Sequence, residues 1–137
     1  MQYAELHCVS NFTFLRGASH PQELIHTAST LGYRALAITD ECSLAGVVKA
    51  HVAARECGLP LIIGSEFLIE EQKLVILVTN RESYSELSSL ITLARRRSRK
   101  GEYRIEWSDL SNHLPNVLVI WLPSGIADTD NAIGYQL

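Results

Sequence analysis

The 137-residue sequence contains no apolar run approaching the roughly 20 residues that would cross a bilayer. Its opening, MQYAELHCVS, lacks the basic start and apolar stretch of a secretory signal. Cysteine is scarce: Cys8, Cys42 and Cys57 form no CxxC pair. An odd number of thiols without a signal argues against a disulfide scaffold and for a reducing, cytoplasmic location. No internal repeat is present. Charge of one sign is also missing, with 12 Lys+Arg against 15 Asp+Glu and a net charge of -3, so the chain is no supercharged nucleic-acid arm. At 47% hydrophobic it is no disordered tail either.

The length suits one domain with a sizeable core. The modest net charge hides an asymmetry. Arg95, Arg96, Arg97, Arg99, Lys100 and Arg104 lie within ten residues and are accompanied by one acid, Glu102. The rest of the chain, with six basic and 14 acidic residues, stands at -8. An acidic body thus carries one basic patch.

Short apolar runs alternate with amphipathic ones, the pattern of an α/β fold. Tyr3 to Val9 predicts a first strand. A helix follows from Ser19, with Ser19 and Gln22 in capping-box relation, Pro21 in the first turn, Leu24, Ile25, Ala28 and Leu31 as its apolar stripe, and Gly32 as its stop. Ala35 to Thr39 reads as a strand covered on both faces. Ser43 predicts the cap of a second helix ending at Gly58. A strand from Leu61 to Ile69 and another from Leu74 to Val78, separated by a short turn, predict an antiparallel hairpin. A third helix spans Glu82 to about Arg97, burying Leu87, Leu90, Ile91 and Ala94. Ile105 to Trp107 reads as a short strand and Asn116 to Leu122 as a stronger one containing a core Trp121. No period is visible from Pro123 to Leu137.

In parallel α/β sheets, functional side chains gather at the carboxyl ends of strands. Those ends supply His7 with Cys8, Asp40 with Glu41, and Glu66, while Lys73 opens the return strand of the hairpin. Imidazole and carboxylates from separate strands suit a divalent metal. By residue type alone the signal is weak, and polar groups at loop starts are the favoured reading.

The segments LHCVSNFTFLRGAS, ALAITDECSLAGVVKA and LIIGSEF resemble the PHP (polymerase and histidinol phosphatase) domain of bacterial replicative-type DNA polymerases. YAELHC, SNF, GAS and ARRR with KGEY resemble the error-prone, translesion branch in particular. The resemblance runs from about Tyr3 to Trp107. It implies the N-terminal part of a distorted (β/α)7 barrel, truncated, with residues 1–122 as a partial PHP domain and 123–137 as an irregular tail. It also implies a parent chain continuing into palm, thumb and fingers. That parent would be a Mg-dependent nucleotidyltransferase acting in DNA repair, with DNA, a sliding clamp and mutagenesis proteins as partners.

The family's metal site uses His-x-His on the first strand, an acid or His in the next loop, Asp-His after the second strand and Glu after the third. Such a site holds metals against a phosphate ester, generating hydroxide and stabilising displaced oxygens. Here His7, Asp40 and Glu66 match those positions. Val9 replaces the second histidine, Arg16 stands in RGA where active members have DGA, Glu41 replaces the histidine of Asp-His, and Lys73 takes a further ligand position. The resemblance therefore implies a remnant site of His7, Asp40, Glu41 and Glu66, with Arg16 and Lys73 compensating the carboxylates in place of Zn, Mn or Fe. Three functions are expected in turn: a structural PHP domain, an active metal-dependent phosphoesterase or 3′–5′ exonuclease, or a docking module for partner proteins.

The basic run offers Arg95, Arg96, Arg97, Arg99 and Lys100 as candidate nucleic-acid contacts, with Tyr103 and Trp107 placed to stack on bases. The same cations would equally suit a helix C-terminus facing water. His20, His26, His51 and His113 show no metal spacing, and Cys8 and Cys57 read as small core residues.

Overall fold

The computed structural model describes residues 3–114 and 116–123. Nine elements follow in chain order: β1 (Ala4–Glu5), α1 (Pro21–Thr30), β2 (Ala35–Ile38), α2 (Val47–Cys57), β3 (Leu61–Ile69), β4 (Gln72–Val78), α3 (Arg81–Arg96), α4 (Trp107–His113) and β5 (Val117–Leu122). The strands form one open sheet in the order β1-β2-β3-β4-β5. The first three are parallel and the last two antiparallel, so the expected hairpin is present between β3 and β4. The expected tail falls, from residue 124 onward, outside the described residues.

Strand alternation divides the core between the two faces of the sheet. Leu36 and Ile38 of β2 pack with Ile25 and Ala28 of α1 and with Ala50, Ala53 and Ala54 of α2. Phe67 and Ile69 of β3 and Leu74 and Ile76 of β4 pack with Leu87, Leu90 and Ala94 of α3. The intervening positions Ala37, Val75 and Leu77 make a separate cluster with Ile62, Ile120 and Leu122 on the other face. Glu66 is paired with Val75 across the hairpin and therefore belongs to that second face.

Several expected boundaries move, each for a local reason. The first strand is two residues long because the His7 N–H turns back to the Glu5 carboxylate at 3.0 Å. Beyond it, Thr39 holds Cys8 through its hydroxyl and backbone, so residues 7–10 follow β2 without a regular ladder. Helix α1 is capped at His20 rather than Ser19: the His20 N–H donates to Glu23 at 2.7 Å, while the Ser19 carbonyl is engaged by the Asn11 N–H. At its far end Gly32 takes φ 75° and Tyr33 N–H closes on the Ala28 carbonyl, a left-handed helix stop that leaves Leu31 exposed rather than on the buried stripe.

Helix α2 begins at Val47, not Ser43. The Ser43 hydroxyl accepts from the Ala45 N–H and its own N–H donates to Ser65, which holds 43–45 in a turn against β3. The expected strand at 105–107 is instead an extended entry into α4, started by the Glu106 N–H donating to Asp109. Three residues, I-E-W, are too short a window to separate the two periods. Trp121 is half-buried at the edge strand, donating to Gln72 at 3.1 Å.

The hairpin requires close backbone approach at Gly64. A Cβ there would lie 2.5 Å from the Ile76 carbonyl oxygen and 2.7 Å from Leu77 Cδ2. Relief would part β3 from β4. Gly64→Ala is expected to destabilise the fold by about 1–3 kcal/mol, read as a drop of several degrees in thermal melting. An unchanged melt would contradict this packing.

Candidate functional site

Asp40 and Glu41 are neighbours on an extended chain, so their side chains leave it in opposite directions. Asp40 turns to the helix side, where it is buried and accepts three hydrogen bonds: from Ser10 N–H at 2.7 Å, Ser10 Oγ at 2.8 Å and Thr13 Oγ1 at 2.7 Å. Its carbonyl accepts from Ser65 Oγ and, at 3.3 Å, from the Glu66 N–H. Asp40 thus organises the loop 10–17. Neither Arg16 nor Lys73 is its charge partner among the described contacts.

Glu41 turns to the other face and lies beside Glu66 through an isolated parallel bridge. Glu66 lies inside β3 rather than after it, because the strand continues by pairing with β4 once β2 has ended. Its carboxylate is fully buried. Arg16 grips both oxygens in a fork, Nη1 on Oε1 and Nη2 on Oε2 at 3.1 Å, and the same Nη1 donates to Glu41 Oε2 at 2.8 Å. His7 Nε2 stands 2.7 Å from Glu66 Oε2, and Lys73 Nζ is 4.0 Å from Oε1. Of the six expected residues, His7, Arg16 and Lys73 converge on the Glu66 carboxylate, Glu41 joins them through Arg16, and Asp40 stands apart.

Burial alone would raise the Glu66 pKa. The hydrogen bond with His7, then those from Arg16, and the Arg16 and Lys73 charges outweigh it and lower the value to about 2. The Arg16 guanidinium is held in its charged form by the same bonds to Glu66 and Glu41.

Tyr103 plays a part that its sequence position did not suggest. Its hydroxyl donates to Glu41 Oε1 at 2.8 Å and accepts from the Leu68 N–H at 2.8 Å, and its ring meets Phe67 edge-on. Burial and the acceptor Glu41 raise its pKa despite the Leu68 bond. Arg95 covers the ring at 5.3 Å and donates to the carbonyls of Glu41, Cys42 and Glu102. Cys42, with φ 44°, is fully buried behind this contact, and desolvation raises its thiol to about 11.

The remaining basic residues are dispersed. Arg97 forks onto Asp109 at 2.8 and 3.2 Å, Arg104 reaches Glu106, and Arg96, Arg99 and Lys100 are exposed. Trp107 donates to Glu70 at 3.2 Å. His26 and His51 are exposed, and His20 contacts Asn11. Cys8 and Cys57 pack against the α1–α2 core. No group of three or more His, Cys, Asp or Glu side chains among the described residues is arranged to hold a metal ion. No helix among them is long and apolar enough to cross a membrane.

The fold resembles that of solved hydrolases. A metal-dependent phosphoesterase from Bifidobacterium adolescentis superposes with a TM-score of 0.59 at 27% identity, over 69% of this chain and 34% of that one. An amidohydrolase from Chromobacterium violaceum gives 0.56 at 26% identity, over 68% and 33%. The PHP domain family matches residues 5–134, and the chain belongs to that family. Curated relatives called error-prone DNA polymerase include one from Dechloromonas aromatica, 58% identical over 128 residues, and one from Saccharophagus degradans, 54% identical over 134. These matches cover 89% and 95% of this chain, which spans only 12% and 13% of those relatives.

The lowered Glu66 pKa makes a pH prediction with a definite sign. The ionised carboxylate contributes stability in full above its ordinary value of 4.5, and that contribution is lost as pH falls through about 2. The size is on the order of 3 kcal/mol. Urea melts at several pH values across this window should show stability falling in the parent chain and a flatter profile in Glu66→Gln. Parallel profiles would show that Glu66 carries no such linkage.

Proposed function

We propose that this chain is the scaffolding PHP portion of an error-prone DNA polymerase, with a metal site converted into an internal ion pair. The observation that carries this reading is the Arg16 guanidinium, which bridges Glu66 and Glu41 from the loop where the family resemblance expects an acidic ligand. A divalent ion would need those carboxylate oxygens and would meet the fixed charges of Arg16 and Lys73. Val9 adds no donor beside His7. Asp40 is committed to Ser10 and Thr13 on the opposite side of the chain. The residues present therefore do not fit a bound metal, and no hydrolytic step is assigned to them.

In this reading the ion pair does mechanical work. Arg16 ties the loop 10–17 to β3, and Glu41 passes the connection to Tyr103 and so to the segment after α3. Nucleotide addition opposite damaged template, with Mg and with the contacts to sliding clamp and mutagenesis proteins, belongs to the rest of the parent chain. The relatives called error-prone DNA polymerase and the expected reducing thiols support a cytoplasmic setting for that work.

Metal content separates this reading from a phosphoesterase. Protein purified without chelator should carry far less than one equivalent of Zn, Mn or Fe by ICP-MS, and should not hydrolyse bis(4-nitrophenyl) phosphate with Mn added. A stoichiometric metal at this site would overturn the proposal. Arg16→Ala leaves Glu66 buried without its main partner and should destabilise by roughly 3–5 kcal/mol. Adding Glu66→Gln to it should recover part of that loss, giving the non-additivity of a direct pair. Additive losses in denaturant melts would remove Arg16 from this role.

A further inference from the structure

Between the loop 11–17 and the loop 98–103 lies a cleft of about 330 Å³, walled by Phe12 and Phe14 on one side and Gly101 and Tyr103 on the other. It is at the small end of ligand-sized clefts, roughly 300–1,000 Å³. Phe14 is 84% exposed. It is nevertheless held in place, because Thr13 is fixed to Asp40, Arg16 to Glu66, and the N–H groups of Arg16 and Gly17 to the Thr13 carbonyl. Gly17 locks the base of this loop: a Cβ there would fall 1.9 Å from the Ser10 carbonyl oxygen. An aromatic face is thus presented to solvent on a rigid support.

Arg99 and Lys100 immediately precede Gly101, a lining residue of the cleft that takes φ 93°. Both side chains are exposed and have no acidic partner among the described contacts, unlike Arg97 and Arg104. Glu102, the one acid of the run, contributes its carbonyl to Arg95. The acid within the cleft, Glu41, is already bonded to Arg16 and Tyr103. Tyr103 and Phe12 have cations over their rings, Arg95 at 5.3 Å and Lys49 at 5.6 Å, which leaves the Phe14 ring open.

We infer that this cleft binds single-stranded nucleic acid, with a base stacked on Phe14 and the adjoining phosphates on Arg99 and Lys100. One free aromatic face beside two free cations, over a neutralised floor, is the composition of a stacking platform with an electrostatic grip. A duplex has no splayed base to offer Phe14, so the single strand is preferred. The Arg16–Glu66 pair holds the loop that carries Phe14 but takes no part in the contacts to the ligand, so the site stands whether or not that pair has replaced a metal.

The test uses fluorescence anisotropy of the 137-residue chain with a labelled oligothymidylate, and with oligouridylate and a duplex of equal length as further arms. Binding is expected at roughly 50 mM salt, weakening toward 200 mM with a log–log slope near -1.4 for two phosphate contacts. Phe14→Ala should weaken it about ten-fold without changing that slope. Arg99→Ala with Lys100→Ala should flatten the slope by about 1.4. Weaker binding to the duplex supports the site, and equal affinities for the two single strands identify the shared chemistry of base and phosphate. No binding at low salt, equal affinity for duplex, or an unaffected Phe14→Ala variant with a parental melt overturns the inference. The last two would leave Phe14 as a contact for protein. All three substitutions are on exposed side chains, so the folded state survives them. Metal content, measured separately, reports on the scaffold reading alone.

Discussion

A carboxylate with no solvent exposure sits in the middle of β3, and the surrounding structure is arranged around keeping it charged. Burying an ion costs several kcal/mol unless its lone pairs are taken up by well-placed donors. Glu66 receives a bidentate guanidinium, a neighbouring imidazole and a more distant ammonium. Each comes from a different segment: the loop 10–17, the chain after β1, and β4. The charge therefore ties together three parts of the chain. A neutral side chain of the same size would bury more easily but would not demand that convergence.

The side of the sheet on which each acid falls follows from the two-residue period of extended chain, and this period also decides how much of the site was legible in the sequence. His7, Glu41, Glu66, Arg16 and Lys73 were identifiable as one cluster, and they do meet. Asp40 was grouped with them as the strand-end residue matching the Asp of Asp-His, yet its adjacency to Glu41 on an extended segment means opposite faces. The sequence contained the signal: in ALAITDEC, Leu36, Ile38 and Asp40 share one parity and Ala37, Thr39 and Glu41 the other. Asp40 accordingly follows Ile38 to the helix side, where Ser10 and Thr13 meet it.

The order of strands and helices was readable because continuous apolar runs and 3.6-residue stripes are long-range patterns. Element ends were less so, since single hydrogen bonds decide them. The Glu5 carboxylate shortens β1, the Asn11–Ser19 contact moves the α1 cap, and the Ser43 hydroxyl delays α2. Each depends on a partner whose position is set only once the tertiary fold exists. The same is true of Tyr103, whose aromatic ring suggested stacking but whose hydroxyl is fixed between Leu68 and Glu41.

Local charge density was the least reliable guide, because a run of cations says nothing about which are already paired. Folding separates the six into distinct groups. Arg95 is engaged by carbonyls that position Cys42 in its left-handed conformation, Arg97 and Arg104 have acidic partners, and Arg96, Arg99 and Lys100 face water. The first group holds the end of α3 against the loop that carries Glu41, so the basic run and the carboxylate cluster form one connected network through Tyr103. This connection reverses the initial contrast between an acidic body and a basic patch. Part of the patch is structural counter-charge for the body, and the residues left over face water. Phe14 shares its cleft with Gly101 and Tyr103 because Arg16 and Asp40 hold its loop there, which makes the internal ion pair the condition for the external surface.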